Sequence, residues 1–153
     1  MNVTLPTVGD TKAFGARLGA TLRAGDLVVL TGPLGAGKTA LVQGIGAGLK
    51  VSGRIASPTF VIARVHPART PAGPALVHVD AYRLASLDEV DDLDLDVDTA
   101  ASVTVVEWGA GLVEQLAEAR LEVTLDRRAD TEERTASLTP YGGDWAARLA
   151  ELG

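Results

Sequence analysis

One segment constrains this chain more than any other: Gly32-Pro33-Leu34-Gly35-Ala36-Gly37-Lys38-Thr39. It matches the pattern G-x-x-x-x-G-K-[ST], whose glycines let successive backbone N–H groups converge on phosphate oxygens while the lysine reaches the β- and γ-phosphates. The pattern is informative only where it leaves a buried strand and enters a helix. The preceding run Leu27–Leu30 is apolar and β-branched, as in buried parallel strands, and a helical stretch follows from Ala40 to about Lys50. These features predict a nucleoside triphosphate site over residues 32–40, and we call residues 32–39 the phosphate loop.

Two further apolar segments end in carboxylates, at Asp80 and at Glu107. The carboxyl ends of parallel strands meet at one edge of a sheet, where the ligands of open α/β folds bind. Phosphoryl transfer to water uses one group that holds Mg²⁺ and another that orients the water. We therefore expect Thr39 and Asp80 to hold Mg²⁺, with Lys38 on the phosphates. Glu107 is expected to orient the water or to share the metal, and the residues alone leave the reverse assignment of the two acids open.

Other positions near these elements are candidates for supporting roles. Ser57 and Thr59 lie in a hydroxyl-rich turn, and Thr59 is a candidate switch residue that senses the γ-phosphate or its metal. An ordinary turn before a strand is the alternative. Trp108 follows Glu107 and is either a core residue or a wall of the pocket, with the core narrowly favoured. His78 is expected to be a core histidine and not a ligand or base.

The composition indicates one globular domain over residues 1–153, with 46% hydrophobic and 22% charged residues. No apolar run is long enough to cross a membrane, and Met1–Pro6 lacks the pattern of a signal peptide. Without cysteine, the chain can form no disulfide, thiolate metal site or cysteine nucleophile. These features fit a cytoplasmic location.

The charge of the chain bears on its partners. The net charge is −6, and the basic residues are scattered, which argues against direct binding of nucleic acid. The acidic stretch Asp91–Asp98 lacks the glycine and terminal glutamate of a calcium-binding loop, so a solvated acidic face is expected there.

The order of the elements predicts an α/β fold. We expect a P-loop NTPase-like three-layer sandwich whose central sheet is mainly parallel, with antiparallel edge strands. Leu121–Leu125 and Thr135–Thr139 alternate in polarity and are predicted to pair at the sheet edge. A capping box at Thr7 predicts the first helix. The glycines of the helix after the phosphate loop are costly there, and close packing against the sheet is one compensation.

Taken together, the motifs resemble those of the TsaE (YjeE) family of small bacterial P-loop ATPases. They are the phosphate loop, Ser57-Pro58-Thr59-Phe60, His78-x-Asp80-x-Tyr82-Arg83-Leu84 and Val106-Glu107-Trp108. The resemblance covers nearly the whole chain. It implies ATP hydrolysis with Mg²⁺, weak in isolation, in support of threonylcarbamoyl transfer to the adenosine beside the anticodon of tRNA.

The same resemblance implies partners and site residues. The partners are the TsaD and TsaB proteins, with the transfer chemistry on TsaD and ATP hydrolysis resetting the complex. No direct binding of tRNA by this chain alone is expected. The functional set is the phosphate loop with Thr59, Asp80, Glu107 and Trp108, and Arg134 corresponds loosely to a place where the family holds the base.

Two other classes of function fit the phosphate loop. A small-molecule kinase would need a second substrate pocket and a lid rich in arginine, whereas only Arg64 and Arg69 flank the loop Pro67–Pro74. A nucleotide-dependent interaction module would bind ATP without turnover, and the paired acids Asp80 and Glu107 favour hydrolysis over that alternative.

Overall fold

The computed structural model describes residues 1–32, 37–51, 63–69, 73–80, 102–107, 119–128 and 131–152. Within these ranges, seven strands form one sheet. The strands are β1 Asn2–Leu5, β2 Leu27–Thr31, β3 Ala63–His66, β4 Ala75–Asp80, β5 Ser102–Glu107, β6 Arg120–Arg127 and β7 Arg134–Tyr141. The helices in the described ranges are α1 Val8–Thr21, α2 Lys38–Leu49 and α3 Trp145–Leu152.

The sheet has a parallel centre. Its strand order is β1-β7-β6-β2-β5-β4-β3. Strands β6, β2, β5 and β4 run parallel to one another, whereas β7 and β3 are antiparallel to their inner neighbours. The predicted α/β fold, with a mainly parallel centre and antiparallel strands towards the edges, is confirmed.

Strands β6 and β7 pair as the sequence predicts, but this pair is not the outermost element. Strand β6 lies against β2, and the outer side of β7 is covered by β1, with Asn2 opposite Ser137. The sequence analysis did not single out β1, because four residues with mostly exposed side chains carry little periodic signal. This edge of the sheet is therefore formed by the N-terminal strand, and β3 lies at the other edge.

Helices α1 and α2 pack side by side over one face of the sheet. The predicted capping box is present at the start of α1: the Asp10 backbone N–H donates to the Thr7 hydroxyl at 3.2 Å, and Thr7 N–H donates to the Asp10 carboxylate at 3.0 Å. The core between helices and sheet is apolar. Its fully buried members include Leu18, Leu30, Leu41, Ile45, Val105 and Val123.

Gly44 and Gly48 of α2 pack against α1 and not against the sheet. A Cβ atom on Gly44 would overlap the backbone carbonyl of Lys12, and one on Gly48 would overlap that of Ala16. The contact is reciprocal, because a Cβ on Gly19 of α1 would overlap the Ile45 carbonyl. The suggestion that these glycines pack against the sheet is therefore wrong for Gly44 and Gly48. They allow the backbones of α1 and α2 to approach closely.

Arg148 fixes α3 to the start of β2. Its guanidinium is paired with the Asp26 carboxylate, donates to the Thr21 carbonyl at 2.7 Å and lies 4.1 Å from the centre of the Trp145 ring. Hydrogen bonding to Asp26 raises the pKa of Arg148, so the guanidinium stays charged at any physiological pH. Helix α3 is thereby attached near the start of β2, at the opposite end of that strand from the phosphate loop.

Candidate nucleotide-binding site

The phosphate loop lies between strand β2 and helix α2. Strand β2 ends at Thr31, and α2 begins at Lys38 after Gly37, whose φ of 96° is in the left-handed region. Glycine adopts that conformation without strain, which explains its place at the turn into the helix. Residues 33–36, which include Pro33, Leu34, Gly35 and Ala36, lie outside the described residues. The strand and the helix are where the motif requires them.

The Lys38 side chain is held within the loop. Only 7% of the residue is exposed, and its Nζ donates to the Gly32 carbonyl oxygen at 2.7 Å. Gly32 and Lys38 stand at the two ends of the loop, so this hydrogen bond ties the ends together. A buried ammonium group requires polar partners, and the loop places that positive charge where a phosphate would compete for it.

The first turn of α2 adds a hydroxyl group and backbone N–H groups next to Lys38. Thr39 and Ala40 are half-buried and follow Lys38 directly. The first backbone N–H groups of a helix have no partner within the helix, and they carry the positive end of its dipole. An anion at this helix start would meet these N–H groups, the Thr39 hydroxyl and the Lys38 ammonium.

Sheet register brings both predicted acids to the same edge. Asp80 at the end of β4 is paired with Glu107 at the end of β5, and Glu107 is paired with Leu30 of β2. Leu30 is two residues before Gly32. The three strands therefore end at one level, beside the start of the phosphate loop.

Glu107 has a partner that the sequence analysis missed. Only 4% of the residue is exposed, and its Oε2 lies 2.5 Å from Nε2 of His78, which is fully buried. His78 is thus a core residue, as expected. It is only half satisfied, because Nδ1 has no hydrogen-bond partner in the described part of the chain.

A signal for this contact was present in the sequence. His78 and Asp80 are two residues apart and therefore lie on the same face of one strand. What periodicity did not reveal is that the strand ending at Glu107 lies next to β4.

Arg134 lies beside the phosphate loop. It begins β7, is 8% exposed, and donates from Nη1 to the Thr131 carbonyl at 3.3 Å. A Cβ atom built on Gly37 would stand 3.4 Å from the Arg134 Nε. The hairpin between β6 and β7 therefore carries a guanidinium group to the start of α2.

Several predicted positions stay predictions. Ser57, Thr59 and Trp108 lie outside the described residues, as does the acidic stretch Asp91–Asp98. Among the described residues, no cluster of three or more histidine or acidic side chains could hold a metal ion alone. The helices that the structure describes include none long and apolar enough to cross a membrane.

Comparison with known proteins identifies the family. A family model described as "Threonylcarbamoyl adenosine biosynthesis protein TsaE" matches residues 5–136. The chain belongs to the TsaE family. The resemblance found in the motifs is confirmed, and the span matched to TsaE contains the phosphate loop, Asp80, Glu107 and Arg134.

Individual TsaE proteins agree with this assignment, and all three named here carry the description tRNA threonylcarbamoyladenosine biosynthesis protein. The protein from Streptomyces coelicolor is 58% identical over 139 residues, covering 88% of this chain and 93% of its own length. That from Mycobacterium tuberculosis is 53% identical over 140 residues, covering 88% and 83%. That from Bacillus subtilis is 35% identical over 144 residues, covering 94% and 87%.

The fold of this TsaE-family chain has also been observed in a crystal. The crystal structure of Bacillus subtilis YdiB superposes with a TM-score of 0.77 at 29% identity, covering 99% of this chain and 93% of the other.

Proposed function

We propose that this chain is a Mg²⁺-dependent ATPase that supports threonylcarbamoyladenosine biosynthesis on tRNA. The observation that carries the proposal is the common edge of β2, β4 and β5, where Asp80 and Glu107 lie level with the end of the strand that enters the phosphate loop. Membership of the TsaE family supports the tRNA pathway. The strand–loop–helix arrangement supports the binding of a nucleotide at the phosphate loop.

Each residue has a role that follows from its chemistry. The backbone N–H groups of the phosphate loop and of Ala40 bind phosphate oxygens, and Lys38 neutralises the charge of the β- and γ-phosphates. The Thr39 hydroxyl and Asp80 are the proposed protein ligands of Mg²⁺. Glu107 orients the attacking water and accepts its proton, or shares the metal.

The residues present fit Mg²⁺. This ion is usually held by one or two carboxylates together with substrate phosphates and waters, and not by an all-protein cage. A site built from one hydroxyl and one or two acids, without a preformed cluster of three in the described residues, is of that kind. When bound, Mg²⁺ supplies positive charge that stabilises the phosphates during transfer.

The proposed partners are the TsaD and TsaB proteins, in the cytoplasm. The family assignment supports a place in this machinery, and the net charge of −6 favours contact with tRNA through a partner. Thr59, between the phosphate loop and Asp80 in sequence, is the proposed residue that reports the state of the nucleotide to the partners. Trp108, directly after Glu107, is the proposed pocket wall.

The two rival functions remain as outcomes of the test. A small-molecule kinase would release little phosphate until an acceptor is added, and it would then transfer the γ-phosphate to that acceptor. An interaction module would bind ATP without hydrolysing it, so no phosphate would be released with or without an acceptor. Phosphate release measured with and without candidate acceptors separates these from an ATPase.

Two substitutions test the assigned residues. Lys38→Ala should abolish productive binding of a fluorescent ATP analogue, because the phosphates lose their cation. Glu107→Gln should retain ATP binding, while turnover falls by at least about a hundredfold, a typical contribution of a general base. The measurement is phosphate release with Mg²⁺, in the presence of the partner proteins.

Matched substitutions elsewhere serve as controls. Lys12→Ala on helix α1 and Glu122→Gln on strand β6 make the same chemical changes away from the site. Both should behave as the wild-type protein. Unchanged affinity in Lys38→Ala would refute the phosphate loop, and normal turnover in Glu107→Gln would refute the role of that acid.

A further inference from the structure

The contact between His78 and Glu107 is the buried polar pair nearest to the proposed reaction. Both side chains are removed from solvent, with exposed fractions of 0% and 5%, and the Nε2–Oε2 distance is 2.5 Å. Burying a carboxylate without partners is costly, so a buried acid is normally held by hydrogen bonds. No other hydrogen bond of Glu107 lies within the described residues. Among these residues, His78 is therefore the side chain that holds the Glu107 carboxylate in place.

The contact indicates which nitrogen of the His78 imidazole is the hydrogen-bond donor. An ionised carboxylate only accepts hydrogen bonds, so Nε2 carries the proton that Glu107 accepts. Nδ1 has no partner in the described residues. In the proposed contact Nε2 is the donor and the Glu107 carboxylate is the acceptor.

The contact also selects one oxygen of Glu107. His78 is two residues before Asp80 on β4, and Asp80 is the register partner of Glu107. The hydrogen bond therefore runs diagonally between neighbouring strands and engages Oε2, leaving Oε1 for a water or a metal. A glutamate has three rotatable side-chain bonds, and fixing one oxygen restricts where the other can point.

We propose that His78 is a positioning residue for Glu107: its Nε2–H holds one carboxylate oxygen so that the other is presented to the attacking water. The inference rests on the proposed ATPase function. His78 itself touches neither nucleotide nor water. Groups that orient a reacting group in this way commonly contribute about 10- to 100-fold to activity.

Two conservative substitutions distinguish the Nε2 contact from a general need for a polar residue. In His78→Gln the amide nitrogen reaches the former position of Nε2, whereas in His78→Asn it reaches only that of Nδ1. We expect single-turnover ATP hydrolysis by His78→Gln within about threefold of wild type, and a loss of at least about tenfold in His78→Asn. The ADP dissociation constant should stay within about twofold in both variants, because the proposed role of Glu107 concerns the attacking water and not the bound nucleotide.

A second readout does not depend on activity. The chain has only two histidines, so nitrogen NMR of labelled imidazoles can be assigned with a His66→Gln variant. We expect Nε2 of His78 to carry a proton in the wild-type protein, with a resonance that moves in Glu107→Gln. An Nε2 without a proton, or a resonance indifferent to Glu107→Gln, would overturn the inference.

Failure of this inference can be told apart from failure of the proposed function. If Glu107→Gln hydrolyses ATP normally, the proposed function fails first. If Glu107→Gln is inactive while His78→Asn matches or exceeds the wild-type rate, only the positioning role is refuted. In support of it, adding His78→Asn to Glu107→Gln should cause no further loss, because residues acting as a unit are not additive.

Discussion

At the scale of single residues, Arg134 shows how a distant side chain joins a local motif. It stands almost a hundred positions after the phosphate loop in sequence, yet its Nε lies 3.4 Å from where a Gly37 Cβ would be. A guanidinium group here adds a second cation beside Lys38. The family resemblance associates this position with the base, whereas the position of its Nε next to Gly37 favours the phosphate side.

We expect Arg134→Ala to weaken ADP binding by about tenfold or more, since a hydrogen bond to a charged group contributes roughly 1.5–3 kcal/mol. Because Gly37 belongs to the phosphate loop, the loss should be the same for ADP and GDP. Titration of both nucleotides measures it. A loss confined to ADP would instead assign Arg134 to the base.

The matched control is Arg128→Ala on the same hairpin. Its side chain is 75% exposed and has a long ion pair of 3.9 Å with Glu133, and exposed pairs of this kind contribute little. Nucleotide affinity should therefore stay within about twofold of wild type. If both variants lose affinity equally, the hairpin acts through its overall charge and not through the contact with Gly37.

At the scale of elements, the α1–α2 interface sets how α2 approaches the sheet, and therefore where Lys38 stands. The two backbones meet through glycines on both helices, so a single added methyl group has no room. We expect Gly19→Ala to lower the free energy of unfolding by about 1–3 kcal/mol, the usual cost of overpacking. Denaturant unfolding followed by circular dichroism measures this change.

The same substitution at Gly9 is the control within helix α1. A Cβ there would meet only the Thr7 hydroxyl, at an ordinary 3.5 Å. Alanine is the better helix former, so Gly9→Ala should leave stability unchanged or raise it by up to about 1 kcal/mol. Equal destabilisation by both substitutions would mean that packing between the helices is not the cause.

At the scale of the whole molecule, charge decides which partners are accessible. Twenty acidic residues against fourteen basic ones give the net charge of −6. We expect the purified protein to hydrolyse ATP slowly and to produce no tRNA gel shift at physiological salt. Adding TsaD and TsaB should raise phosphate release. Thr59→Ala should blunt that increase more than it weakens ATP binding.

Two results would contradict this view of the molecule. Full ATPase activity without partners would remove the need for a complex, and tight unaided binding of tRNA would contradict the argument from charge. Repeating the gel shift at low salt is the control, because binding that appears only there reflects general electrostatics.

The sequence by itself determined the local elements of this protein. The phosphate loop, the strand before it and the helix after it follow from short-range patterns, as do the Thr7 capping box and the acids that end β4 and β5. Such features depend on residues within a few positions of one another. The side-chain period of a strand also assigns each residue to a face, although not to a neighbour.

Only the tertiary structure decided which elements became neighbours. The order of strands placed His78 against Glu107, brought Arg134 to Gly37 and set β1 outside β7. The close approach of α1 and α2 likewise explains why glycines lie at their interface, where a larger side chain would overlap the facing backbone. These contacts join residues far apart in sequence, and no local pattern encodes them because they depend on how the whole sheet and its helices share one core.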